Sequence, residues 1–346
     1  MIHPVKTFAC TGITSRFSQI GTRIFGKISY ICTIWPNGPK LILRLPTMIF
    51  SRYLPSLLAV AALFTVSCSG RTAAGDNRPE VTVTILPLKY LVHEITGDDF
   101  AIEVLVPAGA SPETFEPTPK QYIRLNESQM VFATGLIDFE NALLARMEHK
   151  ERLVDLSRGV ELMAGSCSHD RAAEARSRAA AAKGLPHGID PHIWTSPREL
   201  RIMARNAYEA IMTQYPDSTK YTTTYKALDA RLRNLDDTCR AMCEASPTKA
   251  FVVYHPVLTY FARAYGLEQI AVETDGKEPS ARELARLIDR AREAKVTALL
   301  YQSQFPRSVV EVVARDIGVE CREINPMAEN VEQNILDITR TITGIQ

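Results

Sequence analysis

Short apolar runs rich in β-branched residues alternate with longer stretches of helical period through the first part of the body. Val81–Leu86 (VTVTIL) reads as a buried strand closed by Pro87, with a helix opening over Lys89–Ile95. Ala101–Val106 (AIEVLV), Met130–Thr134 and Arg152–Leu156 (RLVDL) read as three more strands, and an amphipathic helix runs from Gly135 to about Met147. The pattern fails over 163–188, an Ala- and Arg-rich segment with no apolar period for a core to use. Two helices follow. One starts at Pro197 and runs through Met212, broken by Tyr215-Pro216-Asp217. The second carries Tyr221, Tyr225, Leu228, Leu232, Leu235, Cys239 and Met242 at alternating spacings of four and three, a single seam along a long helix. Alternation then resumes, with strands at Ala250–Tyr254, Gln269–Val272, Ala298–Tyr301 and Val319–Ile324 and helices at about 257–264, 280–294, 307–317 and 331–343.

Strands separated by helices predict parallel pairing, because a crossover must return the chain to the same sheet edge and its helix covers a face. The expected fold is α/β: two lobes of mainly parallel sheet flanked by helices, joined by one long backbone helix. The expected divisions are an N-terminal lobe over 81–215 (interrupted by the atypical loop 163–188), a linker helix over 216–246 and a C-terminal lobe over 247–346. Ligands in this architecture sit between lobes, at the carboxyl ends of strands.

Charge changes the picture at the N-terminus. The whole chain of 346 residues balances 40 Lys+Arg against 39 Asp+Glu, yet no acidic residue precedes Asp76 and seven basic ones fall in 1–67. From Cys68 onward 33 basic residues face 39 acidic ones, a net charge of −6, which disfavours nucleic acid as a partner. Residues 54–66 (LPSLLAVAALFTV) are an apolar run of 13, too short for a permanent bilayer span, with Arg52 before it and Ser67-Cys68 after it. That order predicts a secretion signal over 48–67. The closing TVSC resembles a bacterial lipoprotein box, with Thr65 in place of the usual Leu, which implies lipidation at Cys68. Residues 1–47 then read as a misassigned upstream extension, with Met48 as the start, and 68–80 as a tether. Export permits disulfides, but the spacing of Cys167, Cys239, Cys243 and Cys321 dictates no pairing, and without a CxxC the zinc-ribbon and thioredoxin readings are weak.

Candidate chemistry collects at strand ends. Val106–Pro119 (VPAGASPETFEPTP) follows the second strand, Gly188–Trp194 (GIDPHIW) closes the atypical segment, and Val253–Pro256 (VYHP) takes His255 from a strand into a helix. Neutral imidazole held on rigid scaffold is the commonest protein ligand for transition metals. A lone His is more often structural, and His93 and His149, placed on helices, are read that way. His169 and His187 fall in the atypical segment. Asp190, two residues before His192, reads as a turn residue or as a partner of that imidazole rather than a ligand.

These segments carry a resemblance. GASPETFEPTP, DPHIWTSP, YHPVLTYFARAYGL, the later EPS and a final INPM resemble the zinc/manganese group of solute-binding proteins that serve bacterial ABC importers, over about 80–345. The resemblance implies metal held by residues from both lobes, in the interlobe cleft. Position by position, His192 and His255 match two family ligands, Glu113 stands where the family has its first His, and Asn325 where many members have an Asp. A carboxylate still ligates zinc; Asn325 offers a neutral carbonyl, so water, Glu278 or Gln304 are alternatives for the fourth position. Two imidazoles and one carboxylate favour Zn²⁺, with Mn²⁺ the alternative. The zinc subgroup's His-rich loop is reduced here to His169 and His187, so an accessory site at His187 is not expected to be efficient.

The implied function is capture of Zn²⁺ and delivery to an ABC permease and its ATPase, by a monomer in the bacterial cell envelope, facing the periplasm and anchored to the membrane by lipid at Cys68, without enzymatic activity. Rival readings remain. A surface adhesin or structural lipoprotein would carry a weakened site. A zinc hydrolase would need a general base, for which Glu116 is the nearest candidate. A carrier of a chelated metal or small organic ligand would want Arg or aromatic clusters that these loops lack.

Overall fold

A computed structural model describes residues 78–163, 188–273 and 279–345. The upstream extension, the signal segment, Cys68, most of the tether, His169, His187, Cys167 and Glu278 lie outside them.

In chain order the described elements are β1 (Glu80–Val83), α1 (Leu86–Thr96), β2 (Ala101–Val104), α2 (Pro119–Glu127), β3 (Met130–Ala133), α3 (Asp138–Ala145) and β4 (Leu153–Asp155). There follow α4 (Pro197–Gln214), α5 (Thr219–Ala245), β5 (Ala250–Val253), α6 (Thr259–Tyr265), β6 (Glu268–Ala271), α7 (Ala281–Glu293), β7 (Ala298–Tyr301), α8 (Arg307–Ile317), β8 (Glu320–Glu323) and α9 (Val331–Thr343). The strands form two four-stranded sheets, ordered β2-β1-β3-β4 and β6-β5-β7-β8. Every pairing in both is parallel. Central strands β3, β5 and β7 are buried at all four positions, as strands covered on both faces must be. The edge strand β8 (ECRE) has no fully buried residue.

The structure departs from the sequence reading in four places. Pro87 does not close β1; it sits in the first turn of α1, which begins at Leu86, where a missing N–H costs no helical hydrogen bond. Helix α2 was not anticipated. Its start is nevertheless written in the sequence: Thr118 caps the Gln121 N–H, the Gln121 side chain returns to the Thr118 N–H, and Pro119 follows the cap. His149 lies beyond the end of α3, just before a 3₁₀ turn at Lys150–Arg152, rather than on a helix. Along α5 the seam ends on buried Cys243 instead of Met242, the drift expected when a 3.5 spacing is laid on a 3.6-residue turn.

Helix α5, 27 residues long, packs against α1 and α4 on one side of the chain order and α6 and α9 on the other. One apolar cluster accordingly runs from Val83, Leu91 and Leu105 through Leu228 and Leu232 of α5 to Phe251, Leu300 and Ile335. A second cluster, around Val252, Leu299 and Val313, fills the outer side of the second sheet. Both sheets thus lie in one compact unit. Cys239 and Cys243 are buried free thiols on α5, and Cys321 is a free, half-buried thiol on β8. Among the described residues no helix is long and apolar enough to cross a membrane.

Candidate metal centre

Three separated segments meet beyond the carboxyl ends of the sheets. The chain leaving β2 keeps its pairing for two more residues, Leu105 and Val106 donating to Val83 and Thr84 carbonyls, and then turns at Gly109, whose φ of 83° suits a residue without Cβ. Gln121 of α2 donates to the Leu105 carbonyl at 2.8 Å and ties the loop's base to the helix that follows it. Within the loop, the Ser111 hydroxyl donates to Glu113 Oε2 at 2.6 Å. That contact occupies one carboxylate oxygen and leaves Oε1 toward the histidines.

His192 caps a short 3₁₀ turn, Ile193–Thr195, that leads into α4. Its segment is fastened to the entry of α6. The Thr195 hydroxyl lies within hydrogen-bond distance of the carbonyls of His192 and Val257, and the Tyr260 hydroxyl donates to the Asp190 carbonyl at 2.8 Å. Trp194, 1% exposed, donates from Nε1 to the Pro326 carbonyl at 2.9 Å, joining this segment to the loop after β8. His255 follows Tyr254, whose N–H donates to the Leu300 carbonyl in continuation of the β5–β7 pairing.

The three side chains converge. Glu113 Oε1 stands 3.2 Å from His255 Nε2 and 3.8 Å from His192 Nε2, and one ligand atom from each residue lies within 4.8 Å of the others. The imidazoles meet nearly edge to face at 5.7 Å. They are 3% and 2% exposed, while about a quarter of the Glu113 side chain is accessible.

Each imidazole is turned by a carboxylate. Asp190 Oδ1 accepts the His192 backbone N–H and contacts Nδ1, both at 2.8 Å, and Glu273 Oε2 contacts His255 Nδ1 at 3.2 Å. A proton on each Nδ1 leaves each Nε2 lone pair facing Glu113, the tautomer a metal requires. Burial alone would raise the Glu113 pKa. In the metal-free site, hydrogen bonds from protonated His192 and His255 and their charge outweigh that and hold the carboxyl well below the usual range; a bound metal takes the place of those Nε2 protons. Asp190 is likewise lowered: burial opposes ionisation, and the charge and hydrogen bonds of His192, with the Thr259 hydroxyl, overcome it.

Beside this triad is a cavity of about 40 Å³, lined by Ser111, Glu113, His192, Gln302, Gln304 and Asn325 among others. That is ample for one ion, since about 10–15 Å³ of such space already admits a water. Of the positions singled out from sequence, Glu113, His192 and His255 are brought together, and Asn325 and Gln304 reach the cavity wall. The Asn325 side-chain oxygen already accepts the Met327 N–H at 3.0 Å. Asp190 is placed as a partner of His192. Glu116 is exposed and does not line the cavity. His93 and His149 lie at the surface beside Asp98 and Glu151. Glu273, Gln302 and Ser111 do not stand out in the sequence as site residues. Glu273 and Gln302 each lie just past a parallel strand that neighbours β5, so register with His255 was the available signal.

The family model described as ZnuA, zinc-uptake complex component A, periplasmic, matches residues 81–343. The high-affinity zinc uptake system protein ZnuA of Bacillus subtilis is 26% identical over 276 residues, 78% of this chain and 85% of that one. The zinc-binding lipoprotein AdcA of Streptococcus pneumoniae is 24% identical over 292 residues, 80% of this chain; the chain spans 56% of AdcA. A crystal structure of ZnuA superposes with a TM-score of 0.67 at 30% identity, covering 78% of this chain and 99% of the other.

Proposed function

Because the chain belongs to the family of periplasmic zinc-uptake component A proteins, we propose that it is the extracytoplasmic solute-binding protein of an ABC importer, capturing Zn²⁺ at Glu113, His192 and His255. One observation carries the assignment of the site. Three side chains from distant segments converge within 4.8 Å, and both imidazoles are buried and oriented by carboxylates. Two nitrogens and one oxygen suit a tetrahedral zinc site with a fourth position to fill, whereas Mn²⁺ favours more oxygen donors. The ion is cargo. Glu116, the general base a hydrolase reading names, is not among the described residues that line the cavity, which favours a carrier over a hydrolase. Two buried carboxylates holding two imidazoles also disfavour an adhesin with a disabled site.

Capture takes two neutral imidazoles and one ionised carboxylate, so binding expels protons from whichever histidines carry them. Release to the permease and its ATPase requires separating Glu113 from the histidines. The apolar cluster that crosses α5 into both sheets resists a wide hinge, since opening it would expose buried surface at ~25 cal/mol per Å². Loop displacement at 105–118 is the easier route, and apo and holo scattering profiles of differing radius would refute it. Lipidation of Cys68, anchoring a monomer at the envelope, completes the proposal. Mass spectrometry of the mature N-terminus tests the anchor.

The functional test is calorimetric titration of metal-stripped protein with Zn²⁺ and Mn²⁺, beside the His192→Ala/His255→Ala double variant. One tight zinc equivalent, lost in the variant, is the expected result. Absence of binding by the wild type would overturn the proposal.

A further inference from the structure

The triad supplies three donors, and zinc in a closed protein site takes four. Asn325 is the less available candidate for the fourth, because one lone pair of its side-chain oxygen already accepts the Met327 N–H. Gln302 has the opposite character. It is 2% exposed, it lines the cavity beside Glu113 and His192, and its Oε1 is a buried acceptor without a partner among the described residues.

Its orientation is fixed by chemistry. Gln302 Nε2 lies 3.2 Å from the carbonyl of His255, and a carbonyl can only accept, so the amide must turn its nitrogen there. The atom left over is therefore the oxygen. Strand register explains the proximity: β5 and β7 pair Val253 with Leu300, which places residue 302 level with residue 255. The same amide that braces the His255 backbone thus leaves its oxygen unused, on a residue that lines the cavity. Buried polar atoms in native proteins find a partner, and leaving one unpaired is unfavourable.

We infer that Gln302 Oε1 is the fourth donor to the ion held by Glu113, His192 and His255, an inference that rests on the metal-capture reading above. The site is then two imidazole nitrogens, one carboxylate oxygen and one neutral amide oxygen, with a net ligand charge of −1. Asn325 serves the turn at 325–327 and not the metal.

The test uses the metal-stripped full chain as wild type, Gln302→Leu and Asn325→Ala. Zn²⁺ affinity is measured by chelator competition, and Co²⁺ serves as a spectroscopic probe of coordination. Gln302→Leu is expected to weaken Zn²⁺ about tenfold and to change the energy and intensity of the Co²⁺ visible bands, while Asn325→Ala changes neither. Unchanged bands and affinity within twofold in Gln302→Leu overturn the inference, as does a spectral change produced by Asn325→Ala alone. A buried water as the partner of Oε1 would give the first of these outcomes. Should Gln302→Leu fail to fold, the wild-type Gln302 side-chain amide signals report directly: they shift on Zn²⁺ addition if the carbonyl is a ligand, and stillness overturns the inference. Wild-type protein that binds no Zn²⁺ would instead remove the metal-capture reading itself.

Discussion

Replacing Asp190 by Asn isolates the charge behind one proposed ligand while sparing its geometry. Asp190 is 1% exposed, and its Oδ1 faces both the backbone N–H and Nδ1 of His192 at 2.8 Å. An Asn oxygen can accept both N–H groups, and the new NH₂ falls where the Thr259 hydroxyl can receive it, so the tautomer with a free Nε2 survives. What disappears is a negative charge one ring away from the ion. Across an imidazole, roughly 6 Å, a unit charge and a dication at an effective dielectric of ~20 attract by ~5 kcal/mol, an upper bound. Outer partners of metal-bound histidines contribute 10- to 100-fold in affinity, or ~1.4–2.7 kcal/mol, because the imidazole's own basicity and residual water absorb part of the field. The expected result for Asp190→Asn is therefore a 10- to 100-fold weaker zinc complex with unchanged stoichiometry, read by chelator competition at fixed pH. Glu273→Gln, across a longer 3.2 Å contact, should lose less. Zinc affinity within about threefold of wild type in Asp190→Asn would refute the argument that the carboxylate tunes the ligand.

Further outcomes follow from the same geometry. Glu113→Ala should abolish tight binding, and Glu113→His should raise the preference for Zn²⁺ over Mn²⁺ by exchanging an oxygen donor for a nitrogen; parallel titrations of the two metals decide. Trp194→Phe removes the indole N–H from the buried Pro326 carbonyl and should lower stability by ~1–3 kcal/mol in denaturant unfolding. Glu113 is held below the usual carboxylate range, so it stays ionised as pH falls from 7 to 5. Loss of zinc affinity over that window then comes from imidazole protonation, at up to tenfold per pH unit for each histidine, and a pH-independent affinity would contradict it. In the metal-free protein, the depressed Glu113 contributes stability that is present above its unfolded pKa of ~4.3 and lost as pH falls through its lower folded value.

The strands were legible because a parallel strand buried on both faces must be a short apolar run, and β3, β5 and β7 are such runs. The long α5 was legible because its seam repeats over six turns. Helix α2 was written in the capping pattern of Thr118 and Gln121 but carries a single buried residue, Leu125, so apolar periodicity passed over it. His255 stood out as an imidazole at a strand end, His192 as an imidazole in a motif-bearing segment that the structure places before α4 rather than after a strand, and Glu113 through its place in the resembling motif.

Their partners did not stand out. Asp190 could be placed beside His192 from its two-residue spacing, but Glu273 and Gln302 are ordinary polar residues 18 and 47 positions from His255. Local sequence thus determined the elements and two of the imidazoles, because propensity, burial period and ligand chemistry are properties of a residue and its near neighbours. Which oxygen faces which nitrogen was decided only when parallel pairing set β6 and β7 on either side of β5. Register between strands distant in sequence is a property of the packed sheet.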